Sequence, residues 1–351
     1  MRVRTSNAPL QRPNRAGVVG RCLLLACVSV ALSLQTGCGA SDKPELWIYT
    51  SIYREVLDDM EPQLQRAMPE MNLRWYKAGS EEVAARITAE LASGSTPCDV
   101  LISGDDFWYQ ALKEEGRLRP YVPPGALRVP QALRDPDGAY VVNRSAVMVI
   151  GYNRNVVPKA EAPRSFAELS EPRWKGKVVL GDPLKSGTSL ATVAMLVRKY
   201  GWDYYRRLRS NGAVVEGGNS AVMRRIETGD RPVGIILQEN LLKGLATHSP
   251  AEIVYPSDGA IVIPTAMAIM ASTRQPAAAE KLMRYLTERE GLEAIVRGWM
   301  YACDPALPPP RGGLPFAELL KTGMVLDYKV VKEVTPQREQ LKETFSQVMF
   351  E

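Results

Sequence analysis

The sequence predicts an α/β protein built as two lobes, and three features lead to that expectation. From Pro44 onward, apolar runs of strand length alternate with segments whose apolar residues recur at helical spacing. Several runs are apolar almost throughout, as in "CDVLISG" from Cys98, which suits strands covered on both faces. The alternation stops at "YVPPGALRVPQALRDPDGAY" and then resumes, so a second sheet region is expected beyond it. With 351 residues and 45% hydrophobic content, the chain can fill a core divided between two lobes.

Residues 1–37 read as an export signal of the lipoprotein type. Arg2, Arg4, Arg12, Arg15 and Arg21 make a basic region without acids. The following "CLLLACVSVALSL" has the length of a signal core and is short for a membrane span. In "LQTGCGAS" a small residue precedes Cys38, as at a bacterial lipoprotein cleavage site, although Gln35 stands where an aliphatic residue is usual. Lipidation of Cys38 would leave residues 38–44 as a tether and the acyl chains as a membrane anchor. Ordinary secretion with cleavage nearby, or a retained anchor, is the alternative.

The leader also explains the charge. The whole chain carries 44 Lys and Arg against 39 Asp and Glu, and the five leader arginines account for the surplus. The remainder is formally neutral, so bulk charge gives nucleic-acid binding no support.

The first lobe begins with a strand in "PELWIYTS" that ends at Thr50–Ser51, followed by helical spacing from Ile52 to about Met68. "MNLRWYKAG" is a second strand. "SEEVAARITAELASG" is a helix, with Ser80 as its N-cap and Glu81 and Glu82 in the first turn. "CDVLISG" is a third strand, and "DDFWYQALKEEG" returns to helix. After the interruption, "AVMVIGYN" is a strand that can carry the chain into the second lobe.

There, "SFAELSEPRWKGKVVLGDP" gives a short helix and a strand, and "SLATVAMLVRKYG" a helix. A further helix is opened by Asn219 or Ser220, and "PVGIILQEN" is a strand. "EIVYPSDGAIVIPTAMAIMA" supplies strands leading back, and "AAAEKLMRYLTEREGLEAIVRG" reads as one amphipathic helix. Pro308–Pro310 breaks the pattern, and the tail from Phe316 is mostly helical. The expected division is 45–147 with 265–351 in lobe 1, and 148–264 in lobe 2.

Ligands of such sheets lie outside the carboxyl ends of strands, and the gap between lobes is the natural site. The short polar loops fall at those places: Ser51, Ser80, Asp105, and Ser186, Gly187 and Thr188 of "GDPLKSGTS". Helix N-termini offer unpaired amides, glycine permits close approach, and hydroxyls add donors, so these loops suit an oxyanion. The competing reading is ordinary helix capping. Asn219 and Ser220 extend the candidate set from a helix start. Glu239 and Asp258 are carboxylates near predicted strand ends, Asp258 being suited either to a ligand amine or to a turn. Asp105 either lines the cleft or caps a helix. Arg54, Arg144 and Lys185 either reach an anion or stay solvated.

Hydrolytic and metal chemistry find little to work with. His248 is the single histidine, so no Ser–His pair and no His/Cys metal set can be named. Cys98 and Cys303 either pair or remain two buried thiols. "DPLKSGTS" lacks the glycine spacing of a nucleotide P-loop.

Taken together, "IYTSIYREVLDDMEPQLQ", "AGSEEVAARITAELASGSTPCDVLISGD", "EGRLRPY", "WKGKVVLGDPLKSGTS" and "YPSDGAIVIPTAMAI" resemble bacterial extracellular solute-binding proteins of ABC importers. The likeness runs over about 45–350. The nearest branch resembles members for ferric iron, 2-aminoethylphosphonate and phosphorylated sugars. It implies a periplasmic-binding-protein-like type II α/β fold, with two lobes joined by crossing hinge strands. It also implies that Ser51, Ser80 and Ser186–Thr188 line the cleft.

Iron-binding members usually carry adjacent tyrosines where this chain has Gln238–Glu239–Asn240, while Tyr204–Tyr205 lies earlier and reads as packing. The expectation is a monomeric, non-enzymatic protein outside the cytoplasmic membrane, with no cofactor and no metal. It would hand a small anionic phosphonate or organophosphate to ABC permease transmembrane subunits. A ferric-iron or polyamine carrier of the same fold is the alternative, the latter drawing on Trp108, Tyr109, Asp105, Glu239 and Asp258.

Overall fold

A computed structural model describes residues 43–351, and Pro44–Glu351 form one unit. The expected signal segment and the lipidation site at Cys38 lie outside the described residues.

The first strands are parallel. β1 (Glu45–Thr50) lies between β2 (Asn72–Lys77) and β3 (Val100–Ile102), linked by α1 (Arg54–Ala67) and α2 (Ser80–Ala92). Leu46 and Ile48 alternate into a core shared with Leu57, Met60 and Leu64 of α1. α3 (Asp106–Glu114) and the short β4 (Leu118–Arg119) follow.

β5 (Val141–Asn153) is thirteen residues long and buried throughout. Beyond it come β6 (Val178–Gly181), α4 (Gly187–Tyr200), α5 (Trp202–Ser210), β7 (Val214–Glu216), α6 (Asn219–Thr228), β8 (Val233–Leu237), α7 (Gln238–Ala246) and β9 (Ala251–Val254). β10 (Ile261–Met270) then returns antiparallel to β5. The remaining elements are α8 (Pro276–Thr287), α9 (Arg289–Arg297), β11 (Tyr301–Ala302), α10 (Phe316–Thr322), β12 (Met324–Val325), α11 (Tyr328–Val334) and α12 (Arg338–Phe350).

The main path of the sheet runs β2-β1-β3-β10-β5-β8-β6-β7. β5 and β10 are common to its two halves. Met267–Ile269 of β10 pair with β3, whereas Met148–Tyr152 of β5 pair with β8. Between these stretches the register slips: Thr265 faces Arg144 and Ala266 faces Val142, so Asn143 is one residue extra. A bulge of this kind bends and twists the pair locally.

Several expectations need correction. The apolar run before "QEN" ends as a strand at Leu237, and α7 starts at once, because the next apolar residues recur at helical spacing. The long amphipathic segment is two helices. Glu288 is extended (φ −88°, ψ 169°), and Gly291 packs so closely that a Cβ there would lie 2.4 Å from the Tyr285 carbonyl oxygen. The short helix near Phe166 is a pair of 3-10 turns, Ala167–Ser170 and Pro172–Trp174. The tail, grouped by sequence with the first lobe, divides: α11 packs on α3, but α12 packs on α5 and α4 of the other half. Tyr204 and Tyr205 are buried, and Tyr205 meets Phe345 of α12 edge-on. Cys98 and Cys303 are buried free thiols.

Candidate functional site

The loops at the ends of β1, β2, β3, β6 and β8 converge on a cavity of about 360 Å³. Ser51, Tyr53, Lys77 and Ser80 come from one wall, and Lys185, Ser186, Thr188, Asn219, Ser220 and Glu239 from the other. Arg144 reaches it from the crossing strand β5. A second chamber of about 320 Å³ adjoins, sharing Tyr53, Ser220 and Glu239 and adding Asn240, Lys243 and Trp299. Trp299 holds a left-handed backbone (φ 67°), which is uncommon for a non-glycine residue.

The hydroxyl cluster grows from the start of α4. Ser186 is its N-cap and accepts the Ser189 amide at 3.3 Å. Its Oγ lies 3.0 Å from Thr188 Oγ1, which also accepts from the Asn219 side chain at 3.2 Å. Asn219 in turn accepts the Leu237 amide at 3.3 Å. Capping and site lining are therefore the same arrangement here, and the two hydroxyls are hydrogen-bonded to each other. Ser51 accepts the Gly104 amide at 3.2 Å.

Ser80 does not cap α2. Gly79 holds the cap position, and the Ser80 hydroxyl instead accepts the Gly187 amide of the opposite wall at 2.7 Å. Gly187 is not among the lining residues, and its amide is used in this bridge. A Cβ on Gly187 would fall 2.4 Å from the Gly104 carbonyl oxygen, so glycine is what allows the walls to meet. On the other side of the cavity Tyr53 donates to Asn240 at 3.1 Å and Lys243 pairs with Glu55 at 2.8 Å.

Two charges are buried in the cavity wall. Arg144 is 5% exposed; among the described residues it has no carboxylate within 4 Å, and its Nε has no hydrogen-bond partner. Its Nη1 donates to Met300 Sδ at 3.8 Å. Burial lowers its pKa from the usual value, yet a guanidinium remains charged. Glu239, 6% exposed, is raised to about 7 by burial, against which Arg144 and its own amide pull down. Arg54, Lys77 and Lys185 also border the cavity, so cations outnumber the single acid along its lining. Such a wall, with short hydroxyl donors, is suited to an anion carrying several oxygens.

Besides Gly187, two predicted site residues are absent from the lining. Asp105 is absent from the lining: one oxygen caps α3 by accepting the Trp108 amide at 3.2 Å, and the other is held by Arg338 at 2.6 Å. Asp258 is also outside it. Its carboxylate accepts the Phe166 and Ala167 amides at 3.1 Å each and the Tyr200 hydroxyl at 2.6 Å, which fixes a turn. Tyr53 was not foreseen; its place two residues beyond Ser51 at a strand end was the available signal.

The chain matches the bacterial extracellular solute-binding protein family over residues 95–311. It is 24% identical over 213 residues to a probable ABC transporter periplasmic-binding protein, y4fP, of Sinorhizobium fredii, covering 58% of this chain and 59% of that one. It is 31% identical over 196 residues to iron uptake protein A2 of Synechocystis, 54% of this chain and 55% of that one. The chain thus spans little more than half the length of these two relatives. The fold is similar to that of the periplasmic binding protein AfuA from Actinobacillus pleuropneumoniae, solved with exogenous fructose-6-phosphate bound (TM-score 0.77, 20% identity, 88% of this chain and 99% of that one). The matched region carries Arg144, Ser186, Asn219 and Glu239 together, and this protein belongs to the bacterial extracellular solute-binding family.

Proposed function

We propose that this protein is the solute-binding component of an ABC importer and captures a small anionic phosphonate or organophosphate. The observation that carries this reading is Arg144: a buried cation without a carboxylate partner, facing a cavity whose other wall presents Ser186, Thr188 and Asn219. Glu239 and Asp106 attract the guanidinium only at a distance, and an incoming anion supplies the direct counter-ion it lacks. Ser51, Ser80 and Ser220 complete the polar lining.

The two halves of the sheet act as lobes that hinge about β5 and β10, with lobe 1 begun by 45–147 and lobe 2 formed by 148–264. Closure brings contacts from both walls onto the solute, and the closed form is what a permease receives. The protein works as a monomer outside the cytoplasmic membrane, held there through a lipid on Cys38. Support for this role comes from the name of the Sinorhizobium relative and from the sugar phosphate named with the AfuA structure.

Ferric iron is the second reading. The Synechocystis relative is named for iron uptake, and Tyr53 and Glu239 would offer a phenolate and a carboxylate within one cavity. A thermal-shift panel of phosphonates, sugar phosphates, phosphate, polyamines and ferric citrate separates these readings, since a bound solute raises the melting temperature by mass action. Stabilisation by phosphoryl compounds that disappears in Arg144→Met supports anion capture. Stabilisation by ferric citrate or polyamines alone overturns it.

A further inference from the structure

Glu239 is buried in the wall of the cavity, and among the described residues its carboxylate meets no donor beyond its own backbone amide. It sits where the Arg144 cavity continues into the second chamber, lining both, whereas Arg144 lines only the first. A buried carboxylate with no donor beyond its own amide is unfavourable, and a donor on the ligand would complete it. An anion alone brings this carboxylate no donor, and the added negative charge disfavours the ionised form.

We infer that Glu239 is the residue by which the cavity selects its solute: the ligand carries a hydrogen-bond donor, an ammonium or a hydroxyl, on the part that extends beyond its anionic group. This rests on the anion-binding reading above. The anionic group meets Arg144, Ser186 and Thr188, and the donor-bearing body enters the second chamber beside Tyr53, Asn240 and Trp299. The two chambers together exceed what a bare oxyanion fills, which is consistent with a body of several heavy atoms. The role assigned by sequence to Asp258, receiving a ligand amine, passes to Glu239, since Asp258 is engaged in a turn.

The test is calorimetric titration of the purified protein with three phosphonates of similar size: 2-aminoethylphosphonate, 2-hydroxyethylphosphonate and propylphosphonate. At least one of the first two should bind about 30-fold more tightly than propylphosphonate, the scale expected when a buried acceptor is left unpaired. Glu239→Ala should bring the preferred probe to within about threefold of propylphosphonate. Glu239→Gln separates the donors, because an amide oxygen still accepts from a hydroxyl but no longer pairs with an ammonium. Wild-type affinities equal for all three probes, or a preference that survives Glu239→Ala, overturn the inference and leave anion capture standing. Binding of none of the three overturns both.

Discussion

The Ser80 hydroxyl accepts the Gly187 amide at 2.7 Å, joining the first turn of α2 on one wall to the first turn of α4 on the other. Amides at a helix start have no partner within their own helix, and here the opposite wall supplies one. The bond exists only while the walls are together.

Ser80→Ala should therefore weaken solute binding about fivefold, the equivalent of one hydrogen bond of ~1 kcal/mol. Titration calorimetry measures this. An unchanged affinity would mean that the bridge adds nothing to the bound form.

Gly187→Ala acts through volume. The added Cβ would fall 2.4 Å from the Gly104 carbonyl oxygen and 2.6 Å from Asp105 Cβ, and neither can swing aside as a flexible side-chain end would. Solute affinity should fall about tenfold or more, since overpacking costs ~1–3 kcal/mol. Each wall should keep its own structure, read as an unchanged far-ultraviolet circular dichroism spectrum.

Arg144→Met should raise the ligand-free melting temperature and abolish the ligand-induced rise. Removing a buried guanidinium that no carboxylate pairs directly relieves its desolvation, while the anion loses its charged donor. A variant that melts below wild type and still responds to phosphonates would contradict the assignment of Arg144.

Glu239 makes a pH prediction. Its folded pKa, near 7 through burial, lies above the unfolded value, so the folded form holds the extra proton between them. The stability this contributes is complete below the unfolded pKa, about 4.5, and is lost as pH rises through about 7. A shift of that size is worth ~3 kcal/mol. Wild type should lose stability relative to Glu239→Gln across this window in urea denaturation, and parallel pH profiles would count against it.

Arg338 bonds Asp105 and Glu81 at once, and Lys342 joins Glu81 at 2.5 Å. Because the Asp105 carboxylate is fully buried, Arg338→Ala should destabilise by ~3 kcal/mol. The Asp105→Asn/Arg338→Ala double variant should recover part of the loss, and urea titration of the three proteins decides it.

What could be read in the sequence follows from how local each signal is. The strands around Ile48 and Val100 announce themselves by apolar runs, and Ser186 and Asn219 by small polar residues at a helix start. Both hold tertiary roles that happen to coincide with local ones. Asp105 and Asp258 look the same in sequence whether they cap, brace a turn or bind a ligand, and only the amides folded against them decide. Arg144 was legible only as an alternative, since a single basic residue inside an apolar strand carries no pattern. Ser80 reads as a cap, and its true partner lies 107 positions away. The end of β8 was hidden because its apolar run continues straight into α7.

The extra residue at Asn143 leaves the two central strands unequal over the same span. β10 runs straight across the middle as the taut member, and β5 carries the slack and the added coil. In the proposed closure, a swing of one wall against the other would be guided along one preferred arc, like a door on a slanted pin rather than a ball in a socket. Arg144, the next residue along, sits on that pin and faces the gap, where such a swing would re-aim it.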